Sequence, residues 1–194
     1  MSHRPPSSLS RRQALLAWMA MSTLSAQAMT TASIAPLHTP PAEVASGLRS
    51  ARLVGQGNLR FFGLLVYEAR LWASPAFEPG QYDSQPFALE LQYARKLDGP
   101  DIAERSIAEM RRVGEFTEAQ SKVWLALMLQ AFPNVGAQDR LTGVYDGRGR
   151  VRFFFNGKQT AEILDKDYAR LFFGIWLSPK TSAPALRSAL VGQA

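Results

Sequence analysis

Leu141-Thr142-Gly143-Val144-Tyr145, Val151-Arg152-Phe153-Phe154-Phe155 and Thr160-Ala161-Glu162-Ile163-Leu164 follow one another with two short polar breaks. Between the first and second stands Asp146-Gly147-Arg148-Gly149, whose glycines can take the positive φ that tight connections need. Between the second and third stands Asn156-Gly157, the strongest short hairpin signal in the chain. Three consecutive antiparallel strands, a meander, follow from this spacing. The rest of the fold can be read outward from it.

Upstream lie two helical stretches. Gly99-Pro100-Asp101 places a proline in the first turn with an acid beside it. Ala103, Ile107 and Met110 share a face, and Glu104, Arg105, Glu109, Arg111 and Arg112 fall mostly on the wet side. Thr117 and Gln120 have capping-box spacing before Val123-Trp124-Leu125-Ala126-Leu127-Met128-Leu129. That run is apolar all round and predicts a helix sunk in the core, stopped by Pro133. Downstream, Asp165 can cap a helix over Lys166–Leu177, and Ser182 with Pro184 opens a short last helix ending at Gly192.

Further upstream, Ala51–Ala73 reads as strand, turn or bulge, then strand. Phe61-Phe62-Gly63-Leu64-Leu65-Val66-Tyr67 is apolar at both parities and predicts cover on both faces. Gly55, Gly57 and Gly63 mark bulges or close approaches. Phe87, Leu89, Leu91 and Tyr93 alternate with Ala88, Glu90, Gln92 and Ala94, as in a strand with one apolar face. The order is strands, two helices, strands, two helices. It predicts an α+β fold: an antiparallel sheet covered by helices. No dinucleotide fingerprint opens a helix, since Gly55-Gln56-Gly57 lacks both the third glycine and the helix.

The chain has 194 residues, enough for one domain with a substantial core. It contains no cysteine, which excludes disulfides, thiolate metal sites and thiol nucleophiles. Its two histidines, His3 and His38, precede the folded part, so no histidine triad or histidine metal site is expected, and no cofactor. Arg4, Arg11 and Arg12 precede the apolar stretch Ala14–Met21 and the small residues Ala26-Gln27-Ala28. Residues 1–28 therefore read as an export signal, too short in its apolar part to span a bilayer as a mature helix. Ser10-Arg11-Arg12-Gln13-Ala14-Leu15 is consistent with twin-arginine export as well as ordinary secretion. The expected location is periplasmic or otherwise exported. The segment carries three arginines and no acid, so the remainder has 19 basic against 16 acidic residues. That balance, without a run of like charge, argues against a nucleic-acid partner. Residues 29–48, with Pro36, Pro40 and Pro41, read as a flexible tether, and 49–193 as the domain.

Gly55-Gln56-Gly57-Asn58-Leu59-Arg60 with Val66-Tyr67-Glu68-Ala69-Arg70-Leu71-Trp72 resembles the opening hairpin of the bacterial chalcone isomerase-like family. Phe155-Asn156-Gly157-Lys158, Gly174-Ile175-Trp176-Leu177-Ser178-Pro179-Lys180-Thr181 and Leu186–Gly192 extend the resemblance in the family's order. The fold it implies is an open-faced β-sandwich, a large antiparallel sheet under a layer of helices. Plant members close a chalcone into a flavanone with a cleft arginine, a strand hydroxyl, a helix tyrosine and an asparagine. Other members bind fatty acids or have no known catalysis.

Carried over residue by residue, the resemblance makes Arg60 the cleft arginine and Tyr67 the strand hydroxyl, the two candidate catalytic groups. Ile102 stands where the helix tyrosine would be, and Glu109 in place of the asparagine. Leu65, Ile102 and Trp176, with Arg60 and Tyr67, make the candidate ligand site. On strand alternation Arg60 and Tyr67 share a face only if a bulge intervenes, expected at Gly63. Read without the resemblance, Arg60 is a strand-end arginine near water, and Tyr67 and the tryptophans are core residues. Glu68 with Arg70 is a solvated pair, Glu90 and Gln92 lie on a wet strand face, and Asp139 caps a loop. Three functions fit: a non-catalytic binder of a fatty acid or other small amphipathic or aromatic ligand, an isomerase acting on an enone, or a packing and partner-binding domain. Oligomeric state is not legible.

Overall fold

The computed structural model describes Met1 and residues 39–193, and the rest of the expected export signal and the first half of the tether lie outside them. Six strands form one sheet: β1 (Arg52–Phe61), β2 (Leu64–Ala73), β3 (Pro86–Tyr93), β4 (Arg140–Asp146), β5 (Arg150–Phe155) and β6 (Lys158–Leu164). Each pairs antiparallel with the next in the order β1-β2-β3-β4-β5-β6, an uninterrupted meander. Among the described residues five helices accompany it: α1 (Ala42–Gly47), α2 (Gly99–Val113), α3 (Glu118–Ala131), α4 (Lys166–Leu177) and α5 (Pro184–Leu190). A short 3₁₀ segment, Pro79–Ser84, precedes β3. The α+β class and the helix-covered antiparallel sheet are as the element order predicts.

Local chemistry sets the boundaries as read. Thr117 and Gln120 complete a reciprocal capping box on α3, and the Asp165 side chain accepts from the Tyr168 amide to cap α4. On the inner face Tyr67, Ala69, Leu71, Phe87, Leu89, Tyr145, Val151 and Phe153 pack with Phe172, Phe173 and Leu177 of α4 as the main core. The α5 helix lies close on β1, where a Cβ at Gly55 would stand 2.2 Å from the Ala189 carbonyl oxygen. Only a glycine fits that approach.

Four expectations need correction. The tether does not run to residue 48. Residues 42–47 are helical, and Val44 and Leu48 are buried on the sheet's outer face with Trp72, Ala88, Val144 and Phe154. The β3 strand is consequently buried on both faces, because this second small core covers positions that alternate as polar or small. The α3 helix is not sunk all round. Ser121, Trp124, Met128 and Ala131 form its one buried stripe, and Val123 and Leu129 face solvent. That stripe packs on the main core, and helical spacing rather than bulk apolarity selects the face that is covered.

The fourth correction concerns the stretch from Phe61. Phe62 and Gly63 are a two-residue hairpin turn between the paired residues Phe61 and Leu64, with φ of 48° and 78°. Phe61, Phe62 and Leu64 are 60%, 89% and 56% exposed, so the run is a projecting tip and not a doubly covered strand. Apolar residues at both parities here mark a turn that happens to be aromatic.

Candidate functional site

The inner end of β2 brings Tyr67 against α4. The indole Nε1 of Trp176 donates to the Tyr67 hydroxyl oxygen at 2.9 Å, and both side chains are buried. Tyr93, opposite Tyr67 in the register, meets it edge-to-face at 5.8 Å between ring centroids. Burial holds the Tyr67 phenol well above its ordinary pKa. The Trp176 hydrogen bond opposes that rise, the nearby Glu109 carboxylate adds to it and the Arg105 guanidinium subtracts. Tyr93 is raised for the same first reason, loss of water. Neither phenol gives up a proton near neutral pH.

The burial of Glu109 is what the sequence reading, which placed it on the wet side, missed. Glu109 is buried on α2, with Arg105 Nη2 2.6 Å from its Oε1 and Arg112 Nε 3.6 Å from its Oε2. The signal was present, an acid bordering the stripe Ala103, Ser106, Met110, Val113 with arginines four before and three after it. Ile102 is half-buried in the first turn of α2 and packs on the main core. Leu65 is half-buried on β2 near the hairpin tip.

Arg60 is placed apart from this group. A bulge does intervene, but between Leu59 and Arg60 instead of at Gly63, so that Arg60 pairs with Leu65 and Leu59 with Tyr67. Directly paired residues share a face, so Leu59 lies on the Tyr67 face and Arg60, the next residue on β1, falls with Leu65 on the other. Its guanidinium lies exposed at the hairpin end, where Nη1 donates to the Gly63 carbonyl oxygen at 3.1 Å. The structure thus joins Tyr67 to Trp176 and, on α2, Arg105 to Glu109, with Arg60 at the rim of the sheet.

The outer face carries a second polar constellation. Glu90, 2% exposed, receives Trp72 Nε1 at 2.8 Å and Arg70 Nη1 at 3.2 Å, with Arg140 Nε at 3.6 Å. Arg140 Nη2 and the Thr142 hydroxyl both donate to Glu43 of α1, at 3.0 and 3.1 Å. Glu68 pairs with Arg70. Glu90 is therefore the buried centre of an ion network. Its burial comes from α1 and from register-matched partners on β2 and β4, which strand alternation alone does not reveal. Such a network ties α1 to the sheet, and removing one charge would strand the others in low dielectric. A separate hollow of about 280 Å³ is lined by Gly47, Val144, Arg150, Arg152 and Glu162 among others. Among the described residues, no three His, Cys, Asp or Glu side chains are placed to hold a metal ion.

Residues 41–192 match the family model described as chalcone isomerase-like. The chain belongs to the chalcone isomerase-like family. An uncharacterized protein of Haemophilus influenzae is 26% identical over 119 residues, 60% of this chain and 57% of that protein, so the match spans a little over half the relative's length. Among solved structures, a fatty-acid binding protein of Arabidopsis thaliana superposes with a TM-score of 0.58 at 12% identity, covering 74% of this chain and 87% of that one. At that identity the likeness shows the fold alone. The family membership agrees with the expectation drawn from the opening hairpin and the closing helices. On α2 this chain presents an apolar isoleucine, Ile102, and a doubly paired glutamate, Glu109.

Proposed function

We propose that the protein is a non-catalytic binder of a small amphipathic acid, a fatty acid being the simplest case. The observation that carries this reading is the Tyr67–Trp176 pair, a polar islet in an apolar interior with a cation beside it and no available acid or base. The hydroxyl of Tyr67 already accepts from Trp176 and its proton is held by burial. Ile102 cannot donate one. Such a group can orient a ligand's polar end but is poorly built to move protons, which sets the isomerase reading behind the binder. Arg105 is the cation nearest in effect to the Tyr67 hydroxyl, and a guanidinium holds a carboxylate in two parallel hydrogen bonds. The acyl chain would take the place of packing among the half-buried Leu59, Leu65, Val66 and Ile102, gaining about 0.8 kcal/mol for each methylene removed from water. The fatty-acid binding neighbour in Arabidopsis supports the same class of ligand. The N-terminal arginines, apolar stretch and small residues support a protein that works outside the cytoplasm.

The test is a displacement titration of a fluorescent fatty-acid analogue by unlabelled acids of increasing length, below their micelle concentrations. Saturable binding that tightens with chain length, and falls about tenfold or more in Arg105→Ala, is expected. Absence of saturable binding at every chain length would refute the binder. Equal loss in Arg60→Ala with none in Arg105→Ala would move the carboxylate to the sheet's rim.

A further inference from the structure

The turn between β1 and β2 has a composition that folding does not explain. Both central residues have positive φ, a backbone that favours Asn-Gly and penalises a bulky side chain. Phe62 nonetheless stands in the first position and is 89% exposed. Its ring meets only the exposed Phe61 edge-to-face, at 4.5 Å between centroids, and the exposed Leu64 completes the turn. Three large apolar side chains therefore project from one convex, narrow tip.

Cations lie at the same end of the sheet as that tip. Arg60 spends one hydrogen bond on the Gly63 carbonyl and makes no ion pair among the described residues. On the neighbouring strand the Ala94 amide donates to the Val66 carbonyl at 2.9 Å, which sets the exposed Arg95 and Lys96 at the same end of the sheet. Neither makes an ion pair among the described residues. The next acid along the chain, Asp98, comes after Leu97 has turned away to pair with Val135. The acid nearest the tip on β2, Glu68, is engaged by Arg70.

We infer that this hairpin tip is a membrane-docking element: Phe61, Phe62 and Leu64 enter the interfacial region of a bilayer while Arg60, Arg95 and Lys96 meet anionic lipid headgroups. Aromatic rings settle at the bilayer interface, and each cation near an anionic surface adds an increment that salt screens. A wedge of this shape suits a deformable lipid surface, and its positive rim complements phosphate. The inference stands whether or not the interior takes an acid, because it uses no residue of the Tyr67–Trp176 group.

The chain has no cysteine, so one introduced thiol can carry a polarity-sensitive fluorophore at a unique place. The full-length protein is labelled at Leu64→Cys on the tip, and separately at Lys122→Cys on the exposed side of α3 as the control. Both are titrated with vesicles of phosphatidylcholine, with and without phosphatidylglycerol. The expected result is a blue shift at position 64 and none at 122, with affinity rising about fivefold for each cation engaged by the anionic lipid. Phe61→Ser with Phe62→Asn, which keeps the turn's backbone preference and hence the fold, should weaken partitioning about tenfold or more. Circular dichroism confirms that this variant is folded. No shift at position 64, or a shift unchanged by the tip substitutions, would overturn the proposal. So would a shift produced by a soluble protein extract and not by vesicles, which would make the tip a protein-docking surface.

Discussion

Two turns in this sheet share almost one backbone and carry opposite side chains. Asn156-Gly157, between β5 and β6, has φ of 49° and 83°; Phe62-Gly63, between β1 and β2, has 48° and 78°. Asn156 accepts from the Arg140 amide at 2.8 Å and donates to Asp139 at 2.9 Å, so its side chain holds the turn against β4. Phe62 makes no such bond and faces solvent. The left-handed conformation costs an ordinary residue roughly 1–2 kcal/mol, an expense asparagine partly avoids through local hydrogen bonding. One turn is thus composed for stability. The other departs from the stable choice where an exposed aromatic is useful for something besides folding, which is where a conflict between local preference and structure is expected.

Exchange of side chains between the turns breaks the contrast most strongly. Asn156→Phe places a bulky residue at positive φ and removes both side-chain hydrogen bonds, and should cost about 2 kcal/mol in urea unfolding. Phe62→Asn should act in the other direction, raising stability by about 1 kcal/mol while weakening vesicle partitioning. A variant more stable and equally membrane-active would remove the reason for the phenylalanine. The smallest effect is on pH dependence. The Asn156 side chain, and then the Gly136 amide, hold the Asp139 carboxyl below the usual carboxylate range, against a slight opposing effect of burial. Its contribution is complete above the ordinary carboxylate pKa and is lost as pH falls through its lowered value. Asp139→Asn should therefore flatten the acid limb of the stability profile by removing the contribution at neutral pH, with little change at low pH. No equivalent limb should follow from any change at the Phe62 turn.

The strands and helices were legible because their signals are local. Asn156-Gly157 announces a turn whose flanks pair in register, and Thr117-Glu118-Ala119-Gln120 and Asp165 announce helix starts by chemistry completed within a few residues. The candidate site was partly legible. Tyr67 and Trp176 were both named, and the structure joins them, but the link between positions 67 and 176 is a tertiary contact. Glu109 and Glu90 were read as wet for one shared reason. A carboxylate on the polar side of an amphipathic pattern looks the same whether water or another layer lies against it. The bulge expected at Gly63 lies between Leu59 and Arg60 and leaves Arg60 and Tyr67 on opposite faces, because strand parity alone locates neither the turn nor the frame shift.

By itself, then, the chain of amino acids determined the order of its elements, the meander and the apolar inner layer, since hydrophobic period, turn residues and caps act over a few positions. Only the tertiary structure decided which charges lose water, where α1 closes over the outer face, and that the run Phe61–Leu64 ends in solvent. Those outcomes depend on strand register and on what packs above each surface, quantities set by residues tens of positions apart.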